Sequence, residues 1–553
     1  MDGRAAAVER GGQVVPVDEP HPQGRPRDLR SEADSGRLHA WRRHGGYGRG
    51  HAAGPQVPAL RIPPRTTHTC SIYTGSGAQS IVGTSSRPGA TFGRVSGRRA
   101  LACLVLLALV GAACSSSDGG SAKPRSTTTT TAPSRSGAQP GGAAWPTYHR
   151  DAARTGLEPN GPTPGALRRT WESPALDGAI YAEPLFVGNQ VFVATEGDTV
   201  YALDASTGQV QWQTNLGQPV PRSELPCGNI DPTGITSTPV VDSARGLVYV
   251  VPFLMPAHHE LVALDLTSGA ERFRRPIDPP GRDPRVEQQR SALAVVGDQV
   301  LVAYGGLFGD CGNYKGFVIG APADGSGDLT TYEVPAARAA AIWAPPGPVV
   351  DNNSVYVATG NSIGSSDPDL SNSVLRLSLP GLQLQDSWTA RNRDELSRSD
   401  TDLGSTSPVP VGNGLVFVVG KEGVGYLMRA DQLGRTGGEL FSGQVCAGYG
   451  STAWKAPLLF VPCRNELVAL RIEGEKFSVA WRKAGINAGS PIVTGDTVWV
   501  IDLDAGQLHA YGAADGQELA GMPVGDAANF ATPAAGNGLV VVAADRRVLA
   551  FGN

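Results

Sequence analysis

The sequence predicts an all-β fold: an eight-bladed β-propeller of four-stranded antiparallel blades. Three observations carry this reading. A run of Ala202, Asp204, Thr207, Gly208 and Trp212 recurs in degraded form over 263–273, 469–481 and 510–519, and self-similarity at a period of a few tens of residues marks a repeat architecture. Each repeat holds an apolar, alternating stretch bounded by turn residues, as strands joined in hairpins do. With 72 Gly and 43 Pro in 553 residues, and only 18% of them charged, the composition favours short strands and tight turns over helices.

Each unit opens on a short strand, and in six of the eight it is led by a proline, at Pro184, Pro239, Pro348, Pro408, Pro491 and Pro533. Proline is tolerated at the first residue of a strand because no ladder donor is needed there. A short turn such as Gly188-Asn189-Gln190 follows, then an apolar strand, a third strand, a glycine turn and an outer strand. The apolar strands 191–195, 247–251, 300–304, 355–359, 415–419, 458–462, 498–502 and 539–543 define eight units. These span 181–217, 234–277, 288–335, 341–390, 402–443, 449–485, 486–525 and 529–553. The last stops after three strands. Residues 166–174, with Trp171, look like an orphan outer strand that completes it from the N-terminal side. Closing the ring in this way removes exposed sheet edges.

Residues 1–94 are rich in Arg, Gly, Pro and His and contain no Lys. They read as a disordered or mis-annotated extension, with Val95 as the true initiator. Residues 95–113 have the form of a signal peptide: Arg98-Arg99, an apolar stretch too short to span a bilayer, and small residues at the end. Cys114 follows Gly111-Ala112-Ala113, which resembles a bacterial lipobox, so lipidation at Cys114 is expected. The Ser/Thr/Gly/Pro-rich stretch 114–144 is then a tether. The expected location is the outer face of the cytoplasmic membrane, with the membrane reached only through the lipid anchor. The propeller is 145–553. Its four cysteines allow three pairings, and Cys227–Cys311 with Cys446–Cys463 is expected because each pair lies in neighbouring blades. A formal net charge of −4 without a basic patch argues against nucleic acid.

The Ala202, Asp204, Thr207, Gly208, Trp212 pattern resembles the tryptophan-docking repeat of pyrroloquinoline-quinone (PQQ)-type propellers, the quinoprotein alcohol dehydrogenase-like superfamily. The opening Trp145 to Gly156 is similar to the start of many of them, and the resemblance covers 145–553. It implies structural docking for these five residues: the Trp stacks on the next blade, and the Asp, Thr and Gly tie down a turn. The superfamily holds two functional classes. One is non-catalytic and presents loops to partners; here that means a protein or cell-wall ligand. The other is the PQQ- and calcium-dependent dehydrogenases of alcohols or sugars. For the second class the resemblance implies Asn361, in Thr359-Gly360-Asn361, as a calcium ligand. It implies Asp400 or Asp402 as the catalytic base, and Arg338 and Lys421 as quinone contacts. Calcium prefers several oxygen ligands, which amide carbonyls and carboxylates supply. The sequence departs from the enzymes in lacking the adjacent cysteine pair, with Cys227 alone in the nearest segment, and no cofactor is assigned from the residues themselves. The expectation is a non-catalytic binding or scaffolding module, with the dehydrogenase as the alternative. The long loops 219–235, 278–289 and 305–315 cluster in the first three units and are the expected binding rim.

Overall fold

Eight small sheets follow one another along the chain, each made almost entirely of strands consecutive in sequence. The computed structural model describes residues 144–162, 164–364 and 368–553. The expected extension, the signal peptide, Cys114 and all of the tether but its last residue lie outside them. In the first blade, Leu185–Val187, Gln190–Ala194, Thr199–Asp204 and Val210–Asn215 run from the axis outward. Its second and third strands are almost wholly buried, whereas the outer strand alternates. Inner strands are covered on both faces by the flanking blades and read as continuous apolar runs, while the outermost strand meets water on one side.

The ring closes as expected: Arg168–Glu172 pairs antiparallel with Arg547–Gly552, the last strand of the chain. The tryptophan of that closing strand then locks the seam. Trp171 Nε1 donates to the Ala205 carbonyl at 2.8 Å. Its ring lies so close to Gly208, at φ +70°, that a Cβ there would sit 2.4 Å from it. The same docking recurs with Trp212 on Gly269, Phe273 on Gly325 and Trp481 on Gly516. In each case the aromatic residue pairs with an alanine of the third strand, Ala550, Ala202, Ala263 and Ala469 respectively, next to a register shift. Asp204 ties its corner by accepting the N–H of Ser206 and Thr207 at 2.9 and 3.0 Å, a local bond that makes Asp favourable in turns.

Five sheets carry a fifth strand beyond the expected four. Two of these extras belong to the N-terminal segment: Ala144–Trp145 on the inner edge of the first blade, and Leu157–Glu158 parallel to Ile492–Thr494 of the seventh. Between them the chain crosses the channel. Pro146 O accepts from Val241 N, Ala152 O from Val350 N, Thr155 O from Trp454 N and Gly156 O from Val493 N, each at 2.8 Å. His149 N donates to Glu183 Oε2 at 2.8 Å, and Tyr148 OH to Ser490 Oγ at 3.1 Å. His149 Nε2 lies 3.0 Å from Thr532 Oγ1. Arg154, 1% exposed, donates to Thr147 Oγ1, Tyr148 O, Leu293 O and Pro348 O. This plug joins inner strands of seven blades. Backbone groups that would otherwise be unpaired at the axis are thereby satisfied.

Candidate functional site

Successive strands in a blade alternate direction. The connection entering each inner strand and the loop between second and third strands therefore open on one face. The other two turns share the opposite face, where Asn189 Nδ2 meets Asp204 Oδ2 at 3.0 Å. On the first face, residues just ahead of the inner strands meet at the axis. Arg290 lies 4.8 Å over Phe530 and 5.6 Å over Tyr181, and Trp343 lies 6.0 Å and Tyr449 6.2 Å from Phe530. These residues come from the approaches to blades one, three, four, six and eight. Contacts between such distant blades occur only around the centre of a ring.

Beside Trp343 the structure gathers four of the expected site residues. Asn361 N donates to Asp402 Oδ1 at 2.7 Å, and Asn361 Nδ2 to Asp400 Oδ1 at 3.1 Å. Lys421 Nζ lies 2.5 Å from Asp402 Oδ2 and 3.4 Å from Asp400 Oδ1, and 5.7 Å over the Trp343 ring. Gly360 permits the approach, since a Cβ there would be 2.5 Å from Asp402 Oδ1. The polar stretch before blade five is not simply a loop: it contains the helix Arg393–Ser399, ended by Asp400 in a left-handed conformation. Burial pushes the Asp402 carboxyl up despite Lys421 and Asn361. Burial pulls the Lys421 ammonium down, but Asp402 and Asp400 outweigh it and leave it above its ordinary value.

Arg338 stands apart. Its guanidinium turns to the Asp310 carbonyl on the rim of blade three. Trp343 could not be assigned from the sequence, where one aromatic residue before a strand gives no signal. Two buried histidines have defined partners: His149 in the plug, and His259, near the start of the strand His258–Asp265, with Nδ1 2.8 Å from Asp278 Oδ1.

Calcium does not fit this cluster as it stands. Asn361 Oδ1 accepts from Asn372 Nδ2 at 3.0 Å, Asp402 Oδ1 from Asn361 N, and Asp402 Oδ2 faces an ammonium. The cation between the two carboxylates is the chain's own Lys421, and a divalent ion there would meet its positive charge.

The same face carries both disulfides. Cys227–Cys311 has Cα atoms 6.0 Å apart, and Cys446–Cys463 has them 5.9 Å apart. The first joins loops 219–235 and 305–315 over an apolar cluster of Val220, Leu225, Phe253 and Leu307. Phe308 stands at the tip, 68% exposed. With its cysteines 84 positions apart in sequence, this bond constrains a long loop of the unfolded chain. Its replacement by two serines is expected to lower unfolding free energy by about 2–4 kcal/mol in a denaturant titration.

Buried acids flank the axis. Burial raises Glu196 to about 7 and Glu287 to about 8, and burial together with Glu196 raises Asp198 to about 9. Folded values above the unfolded ones give stability that is complete below the ordinary 4.5 and 3.8 and is lost as pH rises through 7 to 9. Burial, then Arg154, lowers His149 from 6.5 to about 3, so its contribution is lost as pH falls below 6.5. Stability is therefore expected to decline as pH rises from about 4.5 to 9, the three acids outweighing His149 below 6.5, and Glu196→Gln should flatten chiefly the part of that decline below about pH 7 in melts across this range.

Residues 165–375 match the family model described as outer membrane protein assembly factor BamB. No curated protein matches the chain. Among solved structures, the quinohemoprotein alcohol dehydrogenase of Comamonas testosteroni is 15% identical with a TM-score of 0.58, over 74% of this chain and 81% of that one. The alcohol dehydrogenase ADHIIG of Pseudomonas putida HK5 is 14% identical with a TM-score of 0.59, over 74% and 80%. A europium-containing methanol dehydrogenase is 14% identical with a TM-score of 0.58, over 74% and 98%. At these identities the likeness shows the fold: an eight-bladed propeller of PQQ-type repeats.

Proposed function

We propose that this PQQ-repeat propeller is a non-catalytic binding or scaffolding module, exported and held at the outer face of the cytoplasmic membrane through Cys114. It uses the stapled, loop-rich face to hold a protein or cell-wall ligand. One observation carries the reading: Asp402, the best-placed candidate base, is engaged on both oxygens, by Asn361 N and by Lys421. To take a substrate proton, that carboxylate must first give up its ion pair with Lys421. The loops around Cys227–Cys311 supply a rigid rim, and pre-ordered loops bind at lower entropic cost.

A second reading has its own support, the convergence of Asn361, Asp402 and Lys421 beside Trp343. It is a PQQ- and calcium-dependent dehydrogenase of alcohols or sugars, in which Lys421 must first leave Asp402. Calorimetric titration of the full chain with PQQ, with and without calcium, separates the two when paired with dye reduction on alcohols and aldoses. The binding-module reading expects no dye reduction under any condition. Dye reduction that requires calcium and is lost in Asp402→Asn establishes the dehydrogenase and removes the first reading.

A further inference from the structure

Between blades two and three lies a narrow recess walled by Thr233, Gly234, Thr236, His259, Glu287 and Gln289, with apolar Phe253 and Leu307. Its polar atoms are mostly acceptors. Gln289, 3% exposed, spends its Nε2 on Ser291 O at 2.6 Å and Ala303 O at 3.5 Å. That fixes the amide and leaves Oε1 without a partner. Glu287, 0% exposed, receives Lys315 N on Oε1 at 3.3 Å, while Oε2 has no partner. Arg282, a cation that acts on it, is paired with Glu333 at 2.5 Å. Thr236 reaches toward Glu196, but its Oγ1 makes no well-formed hydrogen bond.

His259 supplies the fourth group. Asp278 Oδ1 accepts its backbone N–H at 2.9 Å and lies 2.8 Å from Nδ1. A carboxylate on Nδ1 fixes the proton there and leaves Nε2 as the basic nitrogen, the arrangement that orients metal-ligating histidines. Phe253, stacked at 4.3 Å, holds the ring plane. Glu287 Oε2 and Gln289 Oε1 are buried, unpartnered acceptors on residues that line one recess, and such atoms are expensive unless a donor or cation joins them. Metal–ligand distances of about 2.0–2.2 Å are shorter than hydrogen bonds, so a cation suits a tight space that a water molecule does not.

We infer that this space is a structural site for a divalent cation, held by His259 Nε2, Glu287 Oε2 and Gln289 Oε1, with Thr236 completing the wall. One imidazole nitrogen with carboxylate and carbonyl oxygens is a donor set for a first-row ion such as Zn²⁺ or Mn²⁺. Among the described residues no three His, Cys, Asp or Glu converge on a metal position; here two such residues act with neutral oxygens. The ion would tie the strand carrying His259 in blade two to the connection entering blade three, beneath the Cys227–Cys311 staple. Its position is separate from Asn361, Asp402 and Lys421.

The test uses the full chain, stripped with a chelator and dialysed against Zn²⁺ alone or Mn²⁺ alone. Bound metal is counted by mass spectrometry, and melting is followed with and without the ion. The expected result is about one ion per chain with a rise in melting temperature. Affinity should fall roughly 10–100-fold in Asp278→Asn, as for other partners of ligating histidines, and at least as far in Glu287→Gln. Asp402→Asn should leave the stoichiometry unchanged. Glu287→Gln is nearly isosteric and keeps the test open if His259→Ala fails to fold. No bound metal, or metal retained fully in both Glu287→Gln and Asp278→Asn, overturns the proposal. Loss in Asp402→Asn but not in Glu287→Gln also overturns it, by placing the ion at the mouth.

Discussion

Replacing Arg154 with methionine is expected to cost the fold about 3–5 kcal/mol, the range for breaking a buried charge arrangement by removing one member. Burial lowers Arg154 to about 10, against the pull of Asp151 and Glu183, so it stays charged at neutral pH. Its guanidinium binds Tyr148 O, Leu293 O and Pro348 O, and thereby joins the plug to blades three and four. Methionine fills similar volume but donates nothing, so three carbonyls and the Thr147 hydroxyl lose a partner. Glu183, already raised well above its ordinary value by burial, also loses a compensating charge. Urea unfolding at pH 7 measures the difference. A loss under about 1 kcal/mol, the net worth of one ordinary hydrogen bond, would show that the plug is not a principal tie across the axis.

Trp171→Ala is expected to cost a comparable amount, about 3–5 kcal/mol, as removal of a large buried aromatic residue does. Trp171 is 8% exposed, and its site is the seam where the first and last segments of the propeller meet. The effect should therefore be local as well as global. Amide hydrogens of Arg547–Gly552 should exchange faster than those of strands on the far side of the ring. Trp171→Phe retains the ring stacked on Gly208 but loses the bond to Ala205 O, and should cost about 1 kcal/mol. If Trp171→Ala instead destabilises no more than Trp171→Phe, the docking contact is not what holds the seam.

The repeat was legible because its information is local. The glycine at 208, the aspartate at 204 and the alternation of each apolar strand are demands of turn geometry and pleat, and each shows within a dozen residues. The closing strand was legible for a related reason: an outer-strand pattern with a tryptophan, ahead of the first unit and without a unit of its own, matched the gap at the other terminus. The disulfides followed from counting blades. The plug was not legible. Residues 146–156 have no periodicity, and their backbone and side chains together bond to seven blades that lie up to several hundred positions away in sequence.

The mouth falls between these cases. Asn361, Asp402 and Lys421 were selected by resemblance, and the structure gathers them beside Trp343. Arg338, selected on the same basis, turns to Asp310 O instead. That Lys421 stands between the two carboxylates is set by where the connection entering blade five meets that blade's loop between its second and third strands. The recess by His259 is a similar case, since its four polar groups come from three segments whose sequences show only an isolated Thr, His, Glu and Gln. The sequence by itself determined the repeat, the number of blades and the way the ring closes, because those depend on short-range periodicity and turn chemistry. Only the tertiary structure decided which charges are paired, which buried oxygens lack partners and what crosses the axis, because those depend on the distance between residues that the chain separates and the ring brings together.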